Sequence, residues 1–242
     1  MAPKISITLP SIYPTALART LRNIRDATRC EHEIIVVSPF NPPDARWPRS
    51  MIKWIKDPNN NTGPNAAHEL AFKEATGEFV VAMCDDHLFV DGHDVIALKD
   101  FAEKEAAHPN KALLFGLRQV YPEQVGTVFG LYYPYFPMMR TETARALGWF
   151  TADYRRGFAD CDLAMRVWDA GGICEWSKVG LISVHDDDRR KGDIEACAPG
   201  DMETFLARWA PRYGVGWKTD TLRDFNRDYE LSAAEKLCAS PS

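Results

Sequence analysis

Hydrophobic residues recur at two spacings along the first half of the chain, and these spacings predict helices and strands in turn. Leu17, Leu21 and Ile24 stand at helical spacing, whereas residues 33–37 form the short apolar run typical of a strand buried in a parallel sheet. This β-α-β-β-α-β order favours an open α/β sheet with helices on its faces. The predicted strands cover residues 4–9, 33–37, 51–55 and 78–83, and the predicted helices cover residues 16–28 and 65–75.

The second half alternates less regularly. Residues 186–200 are charged and are interrupted by glycine and proline, which predicts a loop. The length of the chain fits one domain with a substantial core. The predicted strands of this half cover residues 112–118, 127–133, 173–176 and 181–184, and the predicted helices cover residues 141–147, 160–170, 202–209 and 221–229.

Composition narrows the class of protein. The formal net charge of −5, with both signs mixed along the chain, argues against a dedicated nucleic-acid binder. The N-terminus lacks the apolar stretch of a signal peptide, and no apolar run approaches the roughly 20 residues that span a bilayer. The six cysteines include no CxxC pair, which predicts neither a zinc ribbon nor a disulfide framework. We therefore expect a reduced, cytoplasmic setting without a transmembrane segment.

Two adjacent carboxylates follow the apolar strand at 79–83. Ligands gather at the carboxyl ends of strands in open α/β sheets, and Asp85 and Asp86 stand at such an end. Carboxylate oxygens are the ligands that hard divalent cations prefer. The alternative is an ordinary turn, since aspartate is common where strands stop.

A second pair of carboxylates stands at the predicted start of the helix at 160–170. The helix dipole favours an ionised Asp160 in this position, and an ionised carboxylate can act as a general base. The alternative is that Asp160 or Asp162 only caps the helix.

A histidine closes the last predicted strand. A neutral imidazole such as that of His185 can bind a transition metal like Mn²⁺, although a surface histidine beside the charged run at 186–191 is the simpler interpretation. The loop at 186–200 can close over a bound donor with Arg189 or Arg190 on a phosphate; the alternative is a solvated loop.

The order of these segments is similar to that of one known family. Residues 5–13, 33–37 and 75–80 lead to Cys84-Asp85-Asp86; residues 139–150 and then Asp160-Cys-Asp162-Leu-Ala-Met-Arg166 with Gly171-Gly172 follow. In this order they resemble the family 2 glycosyltransferases of GT-A fold over residues 4–190, most closely at 75–86 and 139–172.

The resemblance implies a fold and a division of the chain. We expect a Rossmann-like mixed sheet flanked by helices, as in nucleotide-diphospho-sugar transferases. Residues 1–200 would form the GT-A domain, with the nucleotide-sugar half at 1–90 and the acceptor half at 91–200. Residues 201–242 would form a C-terminal helical extension.

The resemblance also implies roles for individual residues. Asp86, at the last position of the DxD motif, and His185 would bind the metal, and Asp160 would be the catalytic base. Asp85 would contact the ribose or a metal-bound water. The other donor-binding residues would be Pro10, Ser11, Tyr13, Ser38, Arg189 and Arg190, and the acceptor-side residues would be Trp149 and Asp162.

Three positions depart from the family pattern. Ser38 begins the segment that often carries a nucleotide-binding Asp-Asp-Gly-Ser, so nucleotide recognition is expected to differ. Cys84 stands at the first DxD position, and Ala159 replaces the usual glutamate before Asp160.

The resulting expectation is a metal-dependent, inverting transfer of a sugar from a nucleotide-sugar donor to an acceptor hydroxyl, with Mn²⁺ favoured over Mg²⁺. The acceptor is open: a glycan, a small molecule, a protein or a modified nucleic-acid base. One alternative is a nucleotidyltransferase, although residues 10–14 lack the glycine-rich basic loop of such enzymes. The other is a non-catalytic family member that binds nucleotide sugars.

Overall fold

The computed structural model describes residues 5–42, 52–121, 123–124, 126–183 and 189–214. The strands are β1 (Ile5–Pro10), β2 (His32–Ser38), β3 (Ile52–Lys56), β4 (Phe79–Ala82), β5 (His87–Phe89), β6 (Leu113–Tyr121), β7 (Glu123–Gln124), β8 (Gly126–Val128), β9 (Leu131–Tyr133), β10 (Pro137–Arg140) and β11 (Ile173–Ser183). The helices are α1 (Pro14–Ala27), α2 (Pro64–Lys73), α3 (His93–Ala107), α4 (Thr141–Leu147), α5 (Ala159–Asp169) and α6 (Arg189–Tyr213).

One mixed sheet organises the described part of the chain. Its strands follow the order β3-β2-β1-β4-β10-β6-β11-β5, and β7 pairs with β6. The first four strands of this order run parallel, whereas β10 is antiparallel to both β4 and β6. Strands β8 and β9 form a separate hairpin. The predicted mixed sheet flanked by helices is confirmed.

Helices cover both faces of this sheet, as the side chains of β2 show. Ile34 and Val36 pack in the cluster that contains Leu21 of α1, whereas Ile35 and Val37 pack in another cluster, with α2. Because successive side chains of a strand point to opposite faces, β2 must be apolar at nearly every position. This explains the uninterrupted apolar run that the sequence shows there.

Two predicted strand boundaries are wrong. Residues 127–133 are not one strand but the β8–β9 hairpin, which turns at Phe129 and Gly130 with φ of 51° and 74°. The two strands predicted at 173–176 and 181–184 form one strand, β11, whose register with β6 shifts between Trp176 and Gly180. In both places the partner strand decides the boundary, and local spacing does not reveal that partner.

The loop predicted at 186–200 is also wrong, because α6 begins at Arg189 and continues past Pro199. Phe205 and Trp209 are buried in the core, so tertiary packing holds this helix against its poor local propensity. The predicted helix at 202–209 is therefore part of α6, and the helix predicted at 221–229 lies outside the described residues. The division at residue 200 stays a prediction. No helix in the described part of the chain is long and apolar enough to cross a membrane.

The fully buried carboxylate of Asp162 ties three elements together. Its Oδ1 accepts hydrogen bonds from the Tyr154 hydroxyl (2.9 Å), the Arg208 guanidinium (3.0 Å) and the Trp209 indole (2.9 Å). Its Oδ2 accepts one from Nε of Arg166 at 2.9 Å. A buried charge needs such a set of partners, because desolvation otherwise outweighs what it contributes. The Asp162 cluster therefore joins α5, the loop before it and α6.

Replacing Asp162 with alanine is expected to lower the free energy of unfolding by about 3–5 kcal/mol, because Arg166 and three other donors lose a buried acceptor. Urea denaturation measures this loss. Tyr154→Phe is the control, since it removes one donor and should cost about 1 kcal/mol. An alanine variant as stable as Tyr154→Phe would contradict a joining role for Asp162.

Candidate active site

A cavity of about 490 Å³ opens at the carboxyl ends of β1, β2 and β4. Pro10, Ser11 and Tyr13 form one wall after β1, while Asp85 and Asp86 follow β4. Residues from the start of α5, including Asp160, line the same cavity. Asp85, Asp86 and Asp160 were the leading candidates of the two carboxylate pairs. They are far apart in the sequence but line one cavity, at the strand ends where ligands bind in such sheets.

The turn that holds Asp85 is fixed by its neighbours. The Ser11 hydroxyl donates to Oδ2 of Asp85 at 2.5 Å, and the Thr20 hydroxyl donates to the Asp85 backbone carbonyl at 3.0 Å. Asp85 is buried, so this pairing with Ser11 also satisfies a carboxylate at the base of the cavity. Two predicted donor-binding residues are therefore in direct contact.

Asp86 lines the cavity and is oriented by the next residue. Its Oδ1 lies 2.7 Å from Nδ1 of His87, whose ring is buried against Phe136 with ring centroids 4.3 Å apart. Among the described residues no group of three or more His, Cys, Asp or Glu side chains is placed to hold a metal. A single carboxylate still fits a hard cation that takes its remaining ligands from substrate phosphates and water. The other predicted ligand, His185, lies outside the described residues.

Asp160 stands in the first turn of α5 and lines the cavity. Its Oδ1 accepts the backbone N–H of Cys161 at 2.9 Å. Burial raises the pKa of Asp160 to about 6, and backbone hydrogen bonds oppose that rise. The residue before the helix, Phe158, has a φ of 63°, a left-handed conformation that is unfavourable for a bulky side chain. The candidate base is thus held at a strained helix start.

Aromatic side chains form much of the remaining wall. Tyr133, Tyr135, Phe136, Phe150 and Phe158 all line the cavity, and the rings of Tyr133 and Tyr135 meet edge to face with centroids 5.1 Å apart. Such a wall is suited to excluding water and to stacking on a ring-shaped ligand.

Ser38 does not line the cavity, although it was a predicted donor-binding residue. It is fully buried, and its carbonyl accepts the backbone N–H of Asp57 at 2.9 Å. Asp57 lines the cavity instead, and its carboxylate accepts the backbone N–H groups of Asn59 and Thr62, each at 3.0 Å. Sequence reasoning missed Asp57, although it is the first acidic residue after the third strand and satisfies the same strand-end rule.

A buried histidine completes this side of the cavity, and the sequence analysis did not single it out. Nδ1 of His68 lies 2.8 Å from the Thr8 hydroxyl, and its ring centroid lies 4.7 Å from that of Phe150. Burial lowers the pKa of His68 to about 3, so the ring is neutral at pH 7. It therefore offers the cavity a neutral polar edge.

The two predicted acceptor-side residues lie away from the cavity. Trp149 is buried between Phe72 and Phe150, and its ring centroid lies 5.7 and 5.4 Å from theirs. Asp162 is the buried acceptor at the centre of the Asp162 cluster described above. Both side chains are buried, but both line a second cavity of about 560 Å³, and their acceptor-side role stays a prediction. Arg189 and Arg190 lie in the first turn of α6, and their side chains are outside what the structure describes.

Comparisons with known proteins agree on one class. No family model matches the chain. An uncharacterized glycosyltransferase of Bacillus subtilis, YwdF, is 26% identical over 223 residues, which cover 83% of this chain and 80% of that protein.

Solved glycosyltransferase structures share the fold. The mannosyltransferase PcManGT from Pyrobaculum calidifontis, in complex with GDP-Man and Mn²⁺, matches with a TM-score of 0.58 and 17% identity, over 100% of this chain and 77% of that one. TarS of S. aureus matches with a TM-score of 0.54 and 16% identity, over 99% of this chain and 49% of that one. The predicted GT-A fold and the predicted enzyme class, a glycosyltransferase, are confirmed.

The raised pKa of Asp160 makes a prediction for stability. Because the folded pKa of about 6 exceeds the ordinary value of 3.8, the folded state holds this proton more tightly than the unfolded state. Its contribution to stability is present below pH 4 and is lost as the pH rises through 6. Asp160→Asn should therefore raise the free energy of unfolding by about 1–3 kcal/mol at pH 8 and have little effect at pH 4.

Chemical denaturation at the two pH values measures this difference. Glu142→Gln is the matched control, since Glu142 is an exposed carboxylate in the first turn of α4. A gain from Asp160→Asn that is equal at pH 4 and pH 8 would show that burial of the charge is not its cause.

Proposed function

We propose that this chain transfers a sugar from a nucleotide-diphosphate-sugar donor to an acceptor hydroxyl. The observation that carries the proposal is one cavity at the strand ends, lined by the carboxylates of Asp85, Asp86 and Asp160. The first two suit a metal-bound diphosphate, and Asp160 suits proton abstraction. Glycosyl transfer needs both functions close enough to act on one bound donor.

The donor side is supported by the β1 and β4 turns. Pro10, Ser11 and Tyr13 form a wall that fits the nucleotide, and Asp57 takes the place that the sequence had assigned to Ser38. A divalent cation held by Asp86 would supply Lewis-acid stabilisation of the diphosphate leaving group. The complex of PcManGT with GDP-Man and Mn²⁺ supports this arrangement. Participation of His185 would favour Mn²⁺ over Mg²⁺, because imidazole suits the transition metal.

The acceptor side is supported by Asp160. Its carboxylate takes the proton of the acceptor hydroxyl while that oxygen bonds to the anomeric carbon and the bond to the diphosphate breaks. The products are the glycoside, the nucleoside diphosphate and protonated Asp160. Attack from the side opposite the leaving group inverts the anomeric centre. A pKa of about 6 leaves the carboxylate mostly ionised at pH 7 and still basic enough for this role.

The aromatic wall around the reacting centre supports sugar transfer over hydrolysis. Tyr133, Tyr135 and Phe158 flank the start of α5, where they keep bulk water from the bound sugar. The acceptor stays open: a glycan, a small molecule, a protein or a modified nucleic-acid base. The cytoplasmic location stays a prediction.

Replacement of Asp160 by asparagine tests the catalytic assignment. The variant should bind UDP- or GDP-sugars in the presence of Mn²⁺ as the wild type does, but it should release nucleoside diphosphate about 10²–10⁴-fold more slowly. Wild-type turnover should rise as the pH increases through about 6, because the base must be ionised. Glu142→Gln should keep full turnover. Release of pyrophosphate in place of the nucleoside diphosphate would indicate a nucleotidyltransferase, and donor binding without any turnover a non-catalytic member.

Replacement of Asp86 by asparagine tests the metal assignment. Thermal shift of the wild type with UDP- and GDP-sugars should show stabilisation that depends on Mn²⁺, and the variant should lose at least 10-fold in apparent metal affinity. Asp91→Asn is the control, since Asp91 is an exposed aspartate five residues after Asp86. Equal metal dependence in both variants would contradict the role of Asp86.

A further inference from the structure

Three consecutive backbone N–H groups before α5 point at one carboxylate of α6. Oδ1 of Asp201 accepts the N–H of Arg155 at 2.8 Å, and Oδ2 accepts those of Arg156 (2.8 Å) and Gly157 (2.9 Å). Asp201 is buried, with 5% of its surface exposed. Hydrogen bonds to an ionised acceptor are stronger than those between neutral groups, and three of them fix the path of these residues.

The residues that Asp201 holds lead directly into the cavity. Arg156, Gly157 and Phe158 line the cavity, and the Phe158 carbonyl accepts the first helical hydrogen bond of α5, from the Asp162 N–H at 2.8 Å. Asp160 lies in the turn that this bond closes. A displacement of residues 155–157 therefore changes the direction in which the Asp160 carboxylate enters the cavity.

A second element holds the same segment from the opposite side. The side-chain amide of Asn65, in α2, donates to the carbonyls of Tyr154 (3.0 Å) and Gly157 (3.4 Å). The backbone at Gly63 approaches the Arg155 carbonyl so closely that a Cβ there would overlap it. The segment is thus held between α2 and α6, and its strained Phe158 conformation is maintained by those contacts.

We infer that Asp201 is a positioning residue, which sets the segment at 155–158 so that Asp160 meets the acceptor hydroxyl in a reactive orientation. This inference rests on the proposed function, because it assigns Asp201 a task in that same site. Asp201 acts through the backbone and touches no substrate. Its contribution should therefore appear in turnover and not in donor binding.

The test replaces Asp201 with asparagine, which puts an amide donor where one acceptor oxygen stood. We expect kcat to fall about 10–100-fold, since small misplacements of a reacting group have effects of this size, while the KM for the donor stays within about twofold. Hydrogen exchange of the amides at 155–157 should become faster in the variant. If Asp201→Asn does not fold, Asp201→Glu, which keeps the charge and displaces the carboxylate, takes its place.

Two controls lie on the same helix. Glu203→Gln makes the same change in charge at an exposed position, and Tyr213→Phe removes a bond between α6 and Asp169 without touching the segment. Both should keep wild-type kcat. A kcat loss shared by Tyr213→Phe, or unchanged exchange at 155–157 in Asp201→Asn, would overturn the inference. Absence of turnover in the wild type with every donor would refute the proposed function instead, and the exchange rates would still decide whether Asp201 holds this segment.

Discussion

Burial of the Asp162 carboxylate constrains α5, the loop before it and α6. Four donors, from Tyr154, Arg166, Arg208 and Trp209, must reach one side chain, and they come from α5, the loop before it and α6. Side chains two positions apart in a helix point in directions about 200° apart around its axis. Because Asp162 faces this cluster, Asp160 faces the other side of α5. That other side is the cavity. A packing requirement thus aims the candidate base.

Much of the sheet could be predicted, because its strands are encoded by apolar runs within the strands themselves. The strands β1, β2 and β4 carry apolar runs that end at polar residues, and the candidates Asp85 and Asp86 follow from the rule that ligands bind at strand ends. Ser11 was expected from the family resemblance. Asp160 followed from the chemistry of a carboxylate in the first turn of a helix. These inferences need no knowledge of distant contacts, and the structure brings the four residues to one cavity.

Helix α3 was not predicted, because three of its five buried positions, His93, Asp94 and Asp100, are polar or charged. Its buried positions include Asp94, which accepts the backbone N–H of Arg29, and Asp100, which accepts the hydroxyl of Ser177. Each of these aspartates has a partner more than sixty residues away, and they interrupt the apolar stripe on which periodicity depends. The same reason hid the tasks of Asp162 and Asp201. Their roles as hydrogen-bond acceptors exist only once α6 has packed, and the sequence of the first part of α6, up to residue 200, favours a loop.

The site combines features that oppose stability with contacts that restore it. An aspartate whose pKa is raised to about 6 by burial and a phenylalanine at φ 63° both disfavour the folded state, and they stand two residues apart. A carboxylate fully exposed to water would avoid this cost, but it would be a weaker base and would leave the sugar open to hydrolysis. The Asp162 carboxylate accepts four hydrogen bonds and the Asp201 carboxylate three, and both lie close to this strained turn. The Asn65 amide donates to carbonyls of the same segment. Strain of this kind persists only where the surroundings over-determine it, and polar contacts from α2 and α6 surround the start of α5.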